Sequence, residues 1–159
     1  MSFLKDKNGK VKYKCKKYYA TKEELYLLKK LSNVKLYDPS NNLQGHVLQT
    51  ERGRNKWSIE YGNNLENKAQ MNDVSTITTH KRLSISFLGE KLLIKHNLGS
   101  RESHMYEIKD GEIENEIATL TTNGVSLSNH EIIPVGDTKV DERLIISAFY
   151  AFALLKARE

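Results

Sequence analysis

Hydrophobic and polar residues alternate along much of the chain, beginning close to its N-terminus. In the segment "KVKYKCKKYY" every second residue from Lys10 to Lys16 is a lysine, namely Lys10, Lys12, Lys14 and Lys16. Val11, Tyr13 and Cys15 occupy the positions between them. Because successive side chains of a strand point to opposite faces, this pattern predicts a strand with one basic, solvated face.

The next segment, "TKEELYLLKKL", changes period. Leu25, Leu28 and Leu31 recur at three-residue spacing, and Thr21 and Glu24 have the spacing of a capping box. The pattern predicts a short amphipathic helix within the lysine-rich region 1–31.

Period-two alternation then returns, interrupted by turn residues. We expect strands at about Val34–Tyr37 and Leu43–Leu48, joined by an Asp-Pro-Ser-Asn-Asn turn, and a third in "KWSIEY". The polar stretch "GNNLENKAQMND" is predicted to be a loop. Two further strands should meet in a hairpin near Leu88-Gly89-Glu90.

The last strands are separated by strong hairpin signals. Asp110-Gly111 and Asn123-Gly124 both favour two-residue turns, because their residues tolerate positive φ. "EIIPV" is predicted to be a short final strand, which Pro134 places at an edge or an end. In total we expect about nine to twelve strands.

The chain closes on "DERLIISAFYAFALLKARE", for which a helix over residues 141–157 is predicted. Asp141 can cap its N-terminus, and its alanines and leucines are strong helix formers. Positions 144–155 are apolar at every angle around the axis, so the helix lacks the polar stripe of a surface helix. About 18 Å of helix is too short to cross a bilayer.

An all-apolar helix must be enclosed on all sides. We therefore predict a mainly β fold, in which an antiparallel β-barrel closes around the buried C-terminal helix. An α+β domain with a buried C-terminal helix is the alternative. At 159 residues, a single domain over 1–159 is expected.

The pattern and order of these elements resemble the tubby-like, or LURP-one-related, proteins, which include phospholipid scramblases. The similar segments are "VKLYDPSNNLQGHV", "MYEIKDGEIENEIATL" and "VDERLIISAFYAFALLKA". The resemblance covers about residues 30–159 and implies a β-barrel around a hydrophobic C-terminal helix. Because tubby itself binds phosphoinositides, it also implies a phospholipid ligand.

Charge is concentrated near the N-terminus. Residues 1–31 contain ten lysines and three acidic residues, whereas acidic residues slightly outnumber basic ones in the remainder. Such an excess indicates an anionic partner, although basic termini also serve solubility alone. The predicted anion-binding residues are those of the first strand and of the segment "ERGRNKW", namely Lys10, Lys12, Lys14, Lys16, Arg52, Arg54 and Lys56. In the competing interpretation, these lysines merely protect an edge strand from pairing.

Other chemistry finds little support in the sequence. There is one cysteine, Cys15, which the alternation places on the apolar face as an inert, buried thiol. The five histidines do not have the spacing of a zinc site, and phosphate-binding loops and nucleophile elbows are missing. We therefore expect a non-enzymatic binding domain without cofactor or metal, in the cytoplasm or at the membrane periphery. The alternative functions are a protein-interaction, scaffold or inhibitor domain and, less favoured, nucleic-acid binding.

Overall fold

The strands follow one another through a single antiparallel sheet in the order of the sequence. The computed structural model describes residues 2–5, 11–18, 33–49, 56–77, 79–122 and 130–156. The described strands are β1 (Ser2–Lys5), β2 (Val11–Tyr18), β3 (Asn33–Tyr37), β4 (Leu43–Gln49), β5 (Lys56–Tyr61), β6 (Asn67–Asp73), β7 (His80–Phe87), β8 (Glu90–Asn97), β9 (Glu102–Lys109), β10 (Ile113–Thr122) and β11 (His130–Pro134). One helix, α1 (Glu142–Lys156), follows them.

Two of the predicted hairpin turns are confirmed by the backbone. Asp110 and Gly111 have φ of 52° and 79°, and the Glu112 N–H donates to the Lys109 carbonyl at 3.2 Å. Leu88 and Gly89 have φ of 46° and 76° between β7 and β8. Positive φ at both central positions is the geometry of a tight two-residue hairpin turn. The predicted Asn123-Gly124 turn lies outside the described residues.

The predicted loop "GNNLENKAQMND" is wrong, because its second half forms β6. Ala69 and Met71 face the core, while Lys68 and Gln70 between them are exposed. The strand β6 has only these two apolar side chains, which makes its local pattern weak. It is a strand because β5 and β7 pair with its two edges.

The helix begins as predicted. Asp141 precedes it, and its carboxylate Oδ1 accepts a hydrogen bond from the Arg143 backbone N–H at 2.9 Å, which satisfies one donor of the first turn. All residues from Leu144 to Phe152 are buried, at every angle around the axis. The prediction of a helix enclosed on all sides is confirmed over these residues.

The sheet that encloses α1 is not a closed barrel, so this part of the prediction is wrong. β1 and β11 approach each other, but no backbone pairing joins them among the described residues. These edge strands have only four and five residues, so few ladder bonds are available at the seam. Pro134 also has no N–H to donate. The predicted helix within residues 21–31 lies outside the described residues.

The antiparallel arrangement gives the curved sheet two ends. The Leu88 end contains the β3–β4, β5–β6, β7–β8 and β9–β10 turns and the start of α1. The Leu98 end contains the β6–β7 loop, the β8–β9 turn and the C-terminal part of α1. There the Phe152 ring contacts the His96 ring edge-on, with the ring centroids 5.5 Å apart.

Candidate functional site

The lysine-rich strand β2 has two chemically different faces, as predicted. Tyr13 and Cys15 are buried, whereas Lys12 and Lys16 are exposed. The Cys15 thiol is 2% exposed and forms no disulfide, so its predicted burial is confirmed. Lys10 lies outside the described residues.

Two of the predicted lysines are engaged by side chains at the Leu88 end. Lys12 Nζ lies 2.7 Å from Glu142 Oε2, at the start of α1. Lys14 Nζ donates to Asn41 Oδ1 at 2.7 Å, in the β3–β4 turn. An ion pair as exposed as Lys12–Glu142 contributes little stability, about 0–1 kcal/mol. These contacts hold the two ammonium groups close to the protein surface.

Lys16 lies closer to the Leu98 end, where the strand register places it beside other basic groups. Lys16 pairs with Lys35 of β3, and Lys35 pairs with His46 of β4. Directly opposed like charges destabilise a sheet, and an anion above the row offsets their repulsion. Burial lowers the pKa of His46, as does the positive charge of Lys35, while Glu60 on the next strand opposes both.

We define the basic row as Lys16, Lys35 and His46. Sequence reasoning missed Lys35 and His46, because only the register of β2, β3 and β4 brings them beside Lys16. The alternation within "NVKLY" does predict that Lys35 points outward, but it does not indicate which lysine lies opposite.

Lys56, the last member of the predicted set, occupies a different surface. It lines an open groove of about 650 Å³ on the outward face of β5, β6 and β7. The groove also contains the ammonium group of Lys68 and the polar side chains of Ser58, Gln70 and Ser86. Arg52 and Arg54 lie outside the described residues, so the structure does not place them beside Lys56.

The start of α1 carries a polar cluster that sequence reasoning recognised only as a helix cap. The Arg143 guanidinium contacts Asp141 at 2.7 Å and donates to Gln44 Oε1 at 2.9 Å and to Asn63 Oδ1 at 3.0 Å. These bonds join α1 to β4 and to the β5–β6 turn. The hydrogen bonds from Arg143 are the main reason that the pKa of Asp141 lies below its usual value.

Tyr13 completes this connection by donating its hydroxyl proton to Glu142 Oε1 at 2.8 Å. Burial raises the pKa of the Tyr13 phenol, and the hydrogen bond to the negatively charged Glu142 raises it further. Glu142 therefore bridges the two faces of β2, because its other oxygen contacts Lys12. This cluster positions the helix against the lysine-rich strand.

The outward face of β8, β9 and β10 has charges of both signs. Lys95 Nζ lies 2.6 Å from Glu114 Oε2, and His104 Nδ1 lies 2.6 Å from Glu116 Oε1. Burial opposes ionisation of Glu116, but hydrogen bonds from His104 and Thr119 lower its pKa overall. Because carboxylates neutralise the cations here, this face has less attraction for an anion than the basic row.

The described residues contain neither a cluster of metal-ligand side chains nor a membrane-spanning helix. In the part of the chain that the structure describes, no three His, Cys, Asp or Glu side chains converge as ligands for a metal ion. Within the same residues, no helix combines the length and apolarity that a bilayer span requires.

Comparison with known proteins gives a single match. No curated protein and no solved structure matched the chain. The profile of the Tubby C-terminal like domain matches residues 2–156, which is nearly the whole chain. The match agrees with the resemblance inferred from the hairpins and the C-terminal helix, and the chain belongs to the Tubby C-terminal like domain family.

Proposed function

We propose that this domain acts by binding and not by catalysis, and that its ligand is the anionic headgroup layer of a phospholipid membrane. The observation that carries the proposal is the basic row, in which register places Lys16, Lys35 and His46 next to one another on three strands. Membership of the tubby-like family supports a lipid ligand, because the family resemblance implies phosphoinositide binding.

The lysines of β2 lie towards different ends of the sheet. Lys12 and Lys14 contact Glu142 and Asn41 at the Leu88 end. Lys16 and Lys35 lie opposite each other, so an approaching phosphate meets both charges together. We therefore assign the main attraction to Lys16 and Lys35.

The expected strength follows from charge. Each lysine near an anionic membrane surface contributes about 1 kcal/mol, and this attraction decays over about 8 Å at physiological ionic strength. Two such lysines give weak, reversible docking by themselves. Binding should fall as salt is raised.

Vesicle co-sedimentation tests this proposal. Vesicles of phosphatidylcholine with and without phosphatidylglycerol are mixed with the protein and with the double variant Lys16→Glu/Lys35→Glu. The double variant should bind anionic vesicles about thirtyfold more weakly, or weaker still, because two attractions are lost and replaced by repulsion. Neutral vesicles should bind neither protein.

The matched control is Lys91→Glu/Lys139→Glu, which makes the same charge change at two exposed lysines of the Leu88 end. It should bind nearly as well as the unaltered protein. Equal losses in both double variants would contradict the assignment to the basic row, since net charge alone would then explain binding. A stable complex with a protein partner that survives high salt, without vesicle binding, would favour the protein-interaction function instead.

A further inference from the structure

The Leu98 end carries exposed apolar side chains on two neighbouring loops. Val74 and Ile77 of the β6–β7 loop are 49% and 57% exposed, and Leu98 of the β8–β9 turn is 76% exposed. The Leu98 N–H donates to the Thr79 carbonyl at 2.8 Å, which fastens the two loops to each other. The three apolar groups thus belong to one connected structure.

Several backbone donors of these loops are already hydrogen-bonded. The Val74 N–H donates to the Arg82 carbonyl at 2.8 Å, and the His80 N–H donates to the Ile77 carbonyl at 3.1 Å. Moving an unpaired amide out of water is costly, whereas moving a paired one costs much less. The loops can therefore leave water without exposing these donors to an apolar medium.

The two ends of the molecule differ in charge. The turns and the helix start at the Leu88 end carry the carboxylates of Asp38, Glu66, Glu90, Asp110, Glu112, Asp137, Asp141 and Glu142. The cations at that end are Lys12, Lys14, Lys91, Lys109, Lys139 and Arg143, so carboxylates outnumber cations there among these residues. The loops at the Leu98 end and the strand residues that adjoin them carry His80, Lys81, Arg82 and Arg101, with Asp73 and Glu102 as their acidic neighbours.

The cations of the Leu98 end are arranged for contact with phosphate. Asp73 lies 3.5 Å from Lys81 and neutralises it. Arg82 donates to the Lys81 carbonyl and to Asn97 Oδ1, which are uncharged acceptors, so neither bond pairs its guanidinium with a carboxylate. Arg101 is exposed beside Leu98. A negatively charged surface therefore attracts this end more strongly than the Leu88 end.

We propose that the domain docks on an anionic bilayer with its Leu98 end, and that Ile77 and Leu98 enter the interfacial layer while Arg82 and Arg101 meet lipid phosphates. This inference rests on the proposed membrane-binding function and deepens it. Lys16 of the basic row agrees with it, because Lys16 lies two residues from the end of β2 on this side, and Lys35 opposite it is the middle residue of β3. Apolar insertion adds affinity that salt does not screen.

The chain offers closely matched controls for this test. Leu88 is 78% exposed and Ile113 is 59% exposed, so they reproduce the residue types and exposures of Leu98 and Ile77 at the opposite end. Binding to phosphatidylglycerol-containing vesicles is measured for Ile77→Ser/Leu98→Ser and for Ile113→Ser/Leu88→Ser. The first double variant should bind at least about tenfold more weakly, because two apolar side chains no longer leave water. The second should bind like the unaltered protein.

A local probe separates insertion from an indirect effect. In Leu98→Trp, emission should shift to shorter wavelength on anionic vesicles and should be quenched by brominated lipid, whereas Leu88→Trp should show neither change. The unaltered protein serves as the background, because Trp57 is 3% exposed. A melting curve of each variant confirms that it is folded.

The outcomes are distinguishable. If Lys16→Glu/Lys35→Glu loses binding while Ile77→Ser/Leu98→Ser keeps it, the proposed function stands and this docking end is overturned. If the unaltered protein ignores anionic vesicles, both proposals are overturned. If Leu98→Trp emission shifts with protein concentration in the absence of vesicles, the apolar loops are a contact between copies of the chain, which also overturns membrane insertion.

Discussion

Gly45 of β4 lies where the sheet closely approaches α1, and Gly45→Ala tests this contact. A Cβ at residue 45 would lie 2.4 Å from Ser147 Oγ and 3.3 Å from Leu36 Cβ. The first distance is far inside van der Waals contact, so the Ser147 side chain, the helix or the strand must shift. Overpacking of a core costs about 1–3 kcal/mol, and the lower entropy of the unfolded alanine chain offsets about 0.4–1 kcal/mol of it. We expect a net loss of about 1–2 kcal/mol in the free energy of unfolding.

The substitution Ser147→Ala removes the atom that would clash. The Ser147 hydroxyl is 1% exposed and has no hydrogen-bond partner among the described residues. Burial of an unpaired hydroxyl costs about 1–3 kcal/mol, so its removal should be neutral or slightly stabilising. The double variant Gly45→Ala/Ser147→Ala should therefore unfold within about 0.5 kcal/mol of the unaltered protein.

A double-mutant cycle measured by urea unfolding isolates the coupling between residues 45 and 147. The fluorescence of the buried Trp57 and the circular dichroism of the strands provide two probes of one transition. We expect a coupling energy of about 1–2 kcal/mol, whereas pairing Gly45→Ala with Ser86→Ala, an exposed serine on β7, should give additive effects. Additive losses in the 45/147 cycle would refute the close approach of β4 to α1.

Two further predictions concern the helix. Ala151→Asp places a carboxyl at a site that is 0% exposed. A rise of about 3–5 units in the pKa of a carboxyl on burial corresponds to about 4–7 kcal/mol, so gel filtration and circular dichroism should show that this variant is unfolded. The control Ser100→Asp, in the exposed β8–β9 turn, should stay folded, and a normal melting temperature for Ala151→Asp would show that α1 is not enclosed. Hydrogen bonds from Arg143 lower the pKa of Asp141 in the folded protein. The ionised Asp141 carboxylate therefore stabilises the fold fully above the pKa of an unfolded aspartate, about 4, and this stability is lost as pH falls through the lower pKa of the folded state. Asp141→Asn should therefore reduce stability near neutral pH and flatten the acid limb of the stability curve. Identical acid limbs for Asp141→Asn and the unaltered protein would contradict this role.

The elements that sequence analysis predicted well have strong local signals. β5 coincides with the alternation in "KWSIEY", and the Asp110-Gly111 turn has the positive φ values that its residues tolerate. The helix begins after the capping Asp141. In each case, the physical cause lies within a few residues of the effect.

The elements that were missed depend on neighbours that are distant in sequence. β6 has two inward apolar residues and is a strand because β5 and β7 flank it. Closure of the barrel was predicted from the need to cover α1, but a curved open sheet also buries Leu144–Phe152. Of the predicted site, Lys12, Lys14 and Lys16 share the polar face of β2, whereas Lys56 lies in a separate groove.

By itself, the sequence determined the strands with clear alternation, two hairpin turns and a helix that has to be buried, because periodicity, turn residues and all-round apolarity act locally. Tertiary structure alone decided that Glu142 contacts Lys12, from which it is separated by 130 positions, and that Lys16 lies opposite Lys35. It also decided that Ile77 and Leu98 share one end of the molecule with Arg82 and Arg101, while carboxylates collect at the other. The physical reason is strand register: a shift of one residue sends every side chain to the opposite face, and the packing of the whole core selects which register is lowest in free energy.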